Sequence, residues 1–339
     1  MERQLRNIWS DIVGVAEVGV HDNFFDVGGT SVMALQVLSR IKSEFGYDIP
    51  LAAVLQAPTI AGLAMLMRGS ATTEPTPLVT IRHGGDEPPI FCFHPLGGSV
   101  ARYFSLARLL GDRQPVYGLQ ALGLFDGALA QRSIPQMART YAEQILRVQP
   151  RPPYRLVGYS LGGTIAFETA RLLAQRGAAP PLVVLIDTEF TYPPFDTAQL
   201  PYTALADFAL KVDVPDGAFD GLDREQTLRA IFDVAVRQEV IGPDFPIARL
   251  ESIYETVAGT LTAVAEYQPG PYSGPVVLIR SARETPTDEG APADLGWSTV
   301  APAVRTHFVG LGHFVIMEAK GAARIATMLR PYLDGVPAA

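Results

Sequence analysis

The spacing of apolar residues changes across residues 69–77, and this change constrains the fold more than any other feature. Before it, apolar residues recur every three or four positions, as in amphipathic helices; after it, short apolar runs alternate with helical stretches. The segment 69–77 itself is small and polar and contains two prolines, so it cannot supply a packed face. We therefore predict a helical domain over residues 1–68, a linker over 69–77 and a second domain over 78–339.

The first domain is predicted to hold at least three amphipathic helices and no strand. Their apolar positions are Leu5, Ile8, Trp9 and Ile12, then Ala34, Val37, Leu38, Ile41 and Phe45, and finally Ile60, Leu63, Ala64 and Met67. Thr59 stands directly before the third group, where a threonine side chain favours the beginning of a helix.

The second domain is predicted to be a mostly parallel sheet covered by helices. Short apolar runs separated by helical stretches are typical of strands buried on both faces. The runs span 90–93, 116–119, 155–157, 182–186, 276–279 and 305–309. The connection from Thr188 to Gly274 is far longer than the dozen or so residues that a crossover needs. It contains two helical patterns, so we expect a helical lid over the active site, at about 188–268.

Composition and charge exclude several functions. The net charge is −8 and no basic run is present, which argues against a nucleic-acid surface. Cys92 is the only cysteine, so neither an internal disulfide nor a thiolate metal site is expected, and we predict no metal. No apolar run approaches the roughly 20 residues of a membrane helix, and the N-terminus lacks a signal peptide's apolar stretch. A cytoplasmic location without membrane contact is expected.

Ser160 is the central residue of the sequence GYSLG at 158–162, which follows an apolar run and precedes a helical stretch. A Gly-x-Ser-x-Gly turn between strand and helix exposes the serine hydroxyl at the carboxyl edge of a sheet. Because a serine hydroxyl is a weak nucleophile at neutral pH, it needs a base. Ser160 is therefore the predicted nucleophile.

The base should be a histidine that follows the last strand, because hydrolases of this type carry nucleophile, acid and histidine in that order. His313 lies in the glycine-rich sequence GLGHF at 310–314 and satisfies this order, whereas His307 lies inside the predicted strand. Asp187 ends the strand after the nucleophile's strand, and we favour it as the acid that orients His313. Three weaker candidates for the acid are Glu189, Asp288 and Asp294.

Negative charge on the substrate oxygen needs preorganised hydrogen-bond donors. The backbone N–H of Leu161 comes with the serine turn, and the second is expected from HPLGG at 94–98, where Leu96 can donate. For His94, which precedes a proline in this loop, we predict a structural role instead of a catalytic one.

Ser31 stands behind two glycines in GGTS at 28–31, at the beginning of a predicted helix. One interpretation is a helix cap, the commonest task of a serine there. Another is a covalently attached phosphate, because helix N-termini favour anions. No histidine or matched acid flanks Ser31, so we do not expect it to be a nucleophile.

These motifs resemble two known families. The region from Leu5 to Met67, with DNFF at 22–25 and GGTS at 28–31, resembles the peptidyl carrier domain of nonribosomal peptide synthetases. The remainder, with FHPLGG at 93–98, GYSLGG at 158–163, Asp187 and GHF at 312–314, resembles their terminal thioesterase domains. The resemblance implies a small all-α carrier bundle followed by an α/β-hydrolase domain, with 4′-phosphopantetheine attached to Ser31.

The same resemblance implies a function and partners. A peptidyl thioester on Ser31 would pass to Ser160 and leave by macrocyclisation or hydrolysis. The implied partners are upstream condensation and adenylation domains, a phosphopantetheinyl transferase and a peptidyl substrate. Two alternatives stay open: a general serine esterase with a fused helical domain, and a carrier or docking module without catalytic activity.

Overall fold

The computed structural model describes residues 1–49, 54, 57–69, 76–124, 129–177, 179–192, 200–215, 217–281 and 292–334. Most of the predicted linker therefore lies outside the described residues. The division into 1–68, 69–77 and 78–339 stays a prediction.

The N-terminal helical unit contains the three helices that periodicity predicted. They are α1 (Glu2–Val13), α2 (Ser31–Phe45) and α3 (Ile60–Met67). Helix α1 packs against both others, and Trp9 on its buried face meets Phe24 edge to face at 4.8 Å between ring centroids. Thr59 caps α3 as predicted, since its Oγ1 accepts a hydrogen bond from Gly62 N at 3.0 Å.

A seven-stranded sheet forms the second part of the molecule, and the prediction of a mostly parallel sheet is confirmed. The strands are β1 (Leu78–Arg82), β2 (Ile90–Phe93), β3 (Val116–Leu119), β4 (Arg155–Tyr159), β5 (Leu182–Ile186), β6 (Val276–Arg280) and β7 (Val304–Phe308). Their order is β1-β3-β2-β4-β5-β6-β7, and only β1 pairs antiparallel to its neighbour among these seven strands. The apolar runs did not reveal β1, because it is an edge strand with alternating buried and half-buried residues.

Helices cover both faces of the sheet. Helices α4 (Tyr103–Leu109) and α10 (Ala319–Leu333) pack together, as do α5 (Ile134–Val148) and α6 (Leu161–Gln175). Successive strand residues belong to opposite hydrophobic clusters, for example Phe91 to that of α5 and α6, and Cys92 to that of α4 and α10. Strands covered in this way on both faces end in loops at a common edge, where the predicted site residues lie.

The long connection between β5 and β6 is helical, as expected. It contains α7 (Leu200–Ala204), a π-helical turn (Leu205–Leu210), α8 (Arg224–Arg237) and α9 (Ile247–Ala265). Helix α9 packs against α5, α7 and α8 and against a short 3-10 turn at Leu122–Leu124. Within the described residues, no helix is both long and apolar enough to cross a membrane.

Candidate active site

Ser160 lies on a sharp turn between β4 and α6, in a backbone conformation that non-glycine residues rarely adopt. Its φ is 54° and its ψ is −133°. Two backbone hydrogen bonds hold the turn: Ser160 N donates to Ile186 O at 2.8 Å, and Gly163 N donates to Ser160 O at 2.9 Å. The Thr188 hydroxyl donates to Ser160 O as well, at 2.9 Å. The turn is thus fixed by contacts from β5 and from the residues after it.

Two positions of this turn require glycine, because neighbouring backbone atoms leave no room for a side chain. A Cβ atom on Gly158 would lie 2.2 Å from Gly162 O, and one on Gly162 would lie 2.4 Å from Phe93 O. Neither separation is possible between non-bonded atoms, so any side chain here would displace the turn. This explains why the sequence frames the serine with glycines.

His313 and Asp187 meet at the carboxyl edge of the sheet, next to this turn. His313 Nδ1 lies 2.7 Å from Asp187 Oδ2, and Asp187 Oδ1 accepts a hydrogen bond from Ser281 N at 2.7 Å. Burial alone would raise the pKa of Asp187, but the hydrogen bonds from His313 and Ser281 outweigh it and hold the pKa below its usual value. Asp187 therefore stays ionised and fixes the tautomer and orientation of the imidazole ring. No hydrogen bond joins Ser160 Oγ to His313 within the described residues.

The competing candidates have other partners. Asp294 caps a 3-10 turn, accepting hydrogen bonds from Gly296 N at 3.1 Å and Ser298 N at 2.9 Å. His307 Nε2 lies 2.7 Å from the Tyr332 hydroxyl, on β7. Asp288 lies outside the described residues, and the carboxylate that pairs with His313 Nδ1 is that of Asp187, two residues before Glu189. Geometry thus favours Asp187 as the partner of His313.

His94 is buried directly after β2, and both of its ring nitrogens have partners within the protein. Its Nδ1 donates to Pro95 O at 2.9 Å, because a carbonyl oxygen can only accept, and its Nε2 lies 2.8 Å from the Tyr141 hydroxyl. Burial lowers the pKa of His94 to about 4, so the ring is neutral at pH 7.

The two predicted oxyanion donors lie in one apolar cluster. The side chains of Leu96 and Leu161 are both buried there, together with Val257 and Leu261 from α9. The backbone N–H groups of Leu96 and Leu161 donate to no acceptor within the described residues. Neither N–H group is thus engaged by another described part of the protein, as the prediction of an oxyanion site requires.

Two tyrosines support the site and were missed by the sequence analysis. The Tyr159 hydroxyl donates to His313 O at 2.7 Å, and its ring stacks on the imidazole with centroids 5.1 Å apart. The Tyr103 hydroxyl donates to Phe93 O at 2.6 Å and accepts from Tyr159 N at 2.7 Å. Tyr159 lies inside the serine motif, which was a signal that could have been used; Tyr103 had no local signal.

Helix α2 begins at Ser31, and the preceding residue caps it. Thr30 is the N-cap, and its Oγ1 accepts a hydrogen bond from Met33 N at 3.2 Å. Ser31 is the first residue of the helix, so the interpretation of Ser31 as the cap is wrong. Its backbone position leaves the second interpretation, attachment of a phosphate at a helix N-terminus.

A cavity of about 310 Å³ joins the beginning of α2 to the predicted oxyanion loop. Its wall contains Gly29 and Thr30, which precede Ser31, and Pro95 and Gly97, which flank Leu96. The two predicted functional regions therefore share one cavity, between the helical unit and the sheet. Among the described residues, no cluster of metal-ligating side chains is present.

Known families match both parts of the chain. The thioesterase domain family matches residues 88–333. The chain belongs to the thioesterase domain family. Its sheet domain is thus a thioesterase of the serine-hydrolase type, and the fold expected for it is confirmed. The phosphopantetheine attachment site family matches residues 3–66, so the helical unit is a carrier domain for 4′-phosphopantetheine.

Relatives of this thioesterase are nonribosomal peptide synthetases. The dimodular nonribosomal peptide synthase of Bacillus subtilis (strain 168) is 32% identical over 291 residues, which cover 83% of this chain and 12% of that protein. The malpibaldin synthetase of Mortierella alpina is 33% identical over 84% of this chain and 5% of its own length. The chain therefore spans a small part of the relatives it matches.

Solved structures are similar to the whole chain or to its larger part. A holo four-domain nonribosomal peptide synthetase bound to AMP and glycine is 26% identical and has a TM-score of 0.72; the match covers 99% of this chain and 26% of that one. The Vlm2 thioesterase domain bound with a dodecadepsipeptide has a TM-score of 0.59 over 78% of this chain, at 22% identity, and supports the fold alone.

Proposed function

We propose that this chain releases a peptide from its own carrier domain during nonribosomal peptide synthesis. In this proposal Ser31 carries 4′-phosphopantetheine and Ser160 accepts the acyl group. Upstream condensation and adenylation domains would build the peptide, and a phosphopantetheinyl transferase would modify Ser31. When bound, the phosphopantetheine supplies a thiol that holds the acyl group as a thioester.

The first step transfers the acyl group to the protein. His313 Nε2 removes the proton of Ser160 Oγ as the oxygen attacks the thioester carbonyl, and Asp187 stabilises the imidazolium that forms. The N–H groups of Leu161 and Leu96 stabilise the negative charge on the carbonyl oxygen. When the C–S bond breaks, His313 returns the proton to the departing sulfur. The result is an ester on Ser160.

The second step resolves that ester. His313 removes a proton from an amine or hydroxyl of the peptide itself, or from water, as that group attacks the ester carbonyl. When the C–O bond to Ser160 breaks, His313 returns the proton to Ser160 Oγ. Side chains of α7 and α9, including Ala204, Val257 and Leu261, form the apolar cluster over Leu161. Because such a cover excludes water, it favours an internal nucleophile and a cyclic product.

One observation carries the proposal: residues beside Ser31 and residues beside Leu96 line the same cavity. An esterase with an unrelated helical domain would not need this arrangement, and a docking module would not need the Asp187–His313 pair. In this proposal the acyl group leaves the carrier domain along this cavity toward the oxyanion loop of the thioesterase domain.

The test is to load the purified chain with an acyl-phosphopantetheine from acyl-coenzyme A by a phosphopantetheinyl transferase, and to follow the mass of the protein. In the wild type the acyl group is lost with time. In Ser160→Ala we expect it to stay on the arm, with release slowed at least about a thousandfold. Ser133→Ala is the matched control, because the Ser133 hydroxyl makes no capping hydrogen bond.

Three outcomes would contradict the proposal. Undiminished release by Ser160→Ala would remove Ser160 from the chemistry. A mass gain that survives Ser31→Ala, or no gain at all, would favour a general esterase. Absence of fluorophosphonate labelling at Ser160 would favour an inactive docking module. The mass of the product then distinguishes a ring from a linear acid, since they differ by one water.

A further inference from the structure

Two cationic side chains line the cavity beside the beginning of α2. Arg102 is half-buried at the N-terminal end of α4, and Lys211 is exposed and ends the π-helical turn of the β5–β6 connection. Both share the cavity wall with Gly29 and Thr30, the residues directly before Ser31. They come from two separate elements of the thioesterase domain, yet both face the carrier domain's attachment region.

Neither cation is neutralised by a close carboxylate. Within the described part of the chain, no salt bridge involves Arg102 or Lys211, whereas Arg249 at the carrier interface pairs with Asp48. Although Lys211 is exposed as a whole residue, partial desolvation and the charge of Arg102 lower its pKa, and Glu318, which also lines the cavity, partly opposes them. Two cations and one carboxylate around the cavity leave a net positive charge, which an anionic ligand would balance.

We propose that Arg102 and Lys211 bind the phosphodiester of the 4′-phosphopantetheine arm on Ser31. This rests on the proposed function, since it takes Ser31 as the attachment point. A phosphodiester attached to the first residue of α2 must lie beside Thr30, where the cavity begins. Arginine and lysine are the side chains that bind phosphate oxygens through charge-assisted hydrogen bonds.

The rest of the cavity suits the remainder of the arm. Ala101, Leu124, Ala209 and Ile253 give it apolar walls, and Gly97 leaves room next to the oxyanion loop, since a Cβ there would meet only Ala209 at 3.7 Å. The two cations are thus placed at the charged end of the arm, and the apolar residues are placed along its neutral part. Binding of the phosphodiester would hold the thioester end of the arm toward Leu96.

The test uses the full chain, loaded at Ser31 with coenzyme A and a phosphopantetheinyl transferase. The first readout is the ³¹P chemical shift of the phosphodiester in the wild type, in Arg102→Gln and in Lys211→Met. In both variants we expect the ³¹P shift to move from the wild-type value toward that of the same phosphodiester exposed to solvent, measured on the loaded chain unfolded in urea. Arg139→Gln and Lys320→Met are the controls, because both residues are exposed and neither lines the cavity.

The second readout is a ratio of two release rates. One is release of an acyl group from the Ser31 arm, and the other is release from an N-acetylcysteamine thioester, which lacks the phosphate. We expect the ratio to fall by about 10- to 100-fold in each variant, the size expected for one charged hydrogen bond. A fall in both rates together would mean a structural role and would overturn the proposal.

Failure of this proposal is distinguishable from failure of the proposed function. If the wild type loads and releases but both variants keep its ³¹P shift and its ratio, only the phosphate site is wrong. If the wild type does not load at Ser31, the proposed function fails and the phosphate site fails with it. Double substitution of Arg102 and Lys211 with unchanged ³¹P shift would also exclude compensation of one cation by the other.

Discussion

At the scale of single residues, the protonation of His94, in the loop after β2, makes the stability of the folded chain depend on pH. The ring is buried and neutral in the folded chain, with a pKa of about 4, against 6.5 for an ordinary histidine. The unfolded chain therefore binds a proton at His94 at a higher pH than the folded chain does. Because the folded pKa is the lower one, the stability from the neutral ring is fully present above pH 6.5 and is lost as the pH falls toward 4.

We predict that His94→Gln makes the free energy of unfolding less sensitive to acid. The difference between the two pKa values corresponds to about 3 kcal/mol, lost by the wild type between pH 6.5 and 4. Urea denaturation at pH 7, 5.5 and 4.5 measures it. The variant starts from a lower stability at pH 7 but should lose about 2 kcal/mol less between pH 7 and 4.5, since the rest of the effect lies below pH 4.5. Parallel curves for the two proteins would show that His94 does not titrate differently on folding.

At the scale of elements, the Tyr103 hydroxyl connects two strands that carry different parts of the site. It donates to Phe93 O at the end of β2 and accepts from Tyr159 N at the end of β4. Strand β2 leads into the predicted oxyanion loop, and β4 leads into the Ser160 turn. One side chain from α4 thus sets the spacing between the predicted nucleophile and the predicted oxyanion donor Leu96.

We predict that Tyr103→Phe destabilises the chain and slows catalysis. Tyr103 is fully buried, so loss of its hydroxyl leaves two buried backbone groups without a partner, at a cost of about 1–3 kcal/mol. Because the change affects the geometry of the site, kcat for a model thioester should fall more than KM rises. Thermal unfolding and steady-state kinetics measure the two effects.

Tyr117→Phe is the control for this prediction. Tyr117 lies on β3, is half-buried and stacks on Phe91, and its hydroxyl has no partner within the described residues. Its replacement should leave stability and kcat within the error of the wild type. Equal behaviour of Tyr103→Phe and Tyr117→Phe would show that the bridge between β2 and β4 has no role.

The elements that could be predicted from the sequence are those with a local signal. Six apolar runs matched strands, and the glycines around Ser160 follow from backbone contacts inside one short turn. By contrast, β1 alternates buried and half-buried residues at a sheet edge and gave no apolar run. The bond from Tyr159 to His313 joins residues 154 positions apart, and such a pairing exists only once the sheet has formed.

At the scale of the whole molecule, the carrier domain packs on the thioesterase domain through contacts from three regions. The Phe25 and Phe104 rings stack at 4.2 Å. Ser39 Oγ accepts a hydrogen bond from Gly242 N at 2.8 Å. Arg249, from the beginning of α9, contacts Asp48 and the carbonyl oxygen of the following residue. None of these pairs had a sequence signal, because each joins surfaces that meet only after both domains have folded.

Of these three contacts, the one between Arg249 and Asp48 is an ion pair between charged groups. Arg249 Nη2 lies 2.7 Å from Asp48 Oδ1, and the arginine side chain is only 7% exposed. A second nitrogen of the guanidinium donates to Ile49 O. A charged group so little exposed depends on these partners, so its interaction with the carrier domain is stronger than that of a surface ion pair.

We predict that Arg249→Ala releases the carrier domain from the docked position. Loss of a charged hydrogen-bonded contact of about 2 kcal/mol lowers the docked population relative to the free one about 30-fold. Small-angle scattering should show a larger radius of gyration, and release from the Ser31 arm should slow relative to release from an N-acetylcysteamine thioester. Arg237→Ala, an exposed arginine at the end of α8, is the control and should behave as the wild type. An unchanged radius together with an unchanged rate ratio for Arg249→Ala would show that the remaining contacts, at Phe25 and Ser39, hold the carrier domain without it.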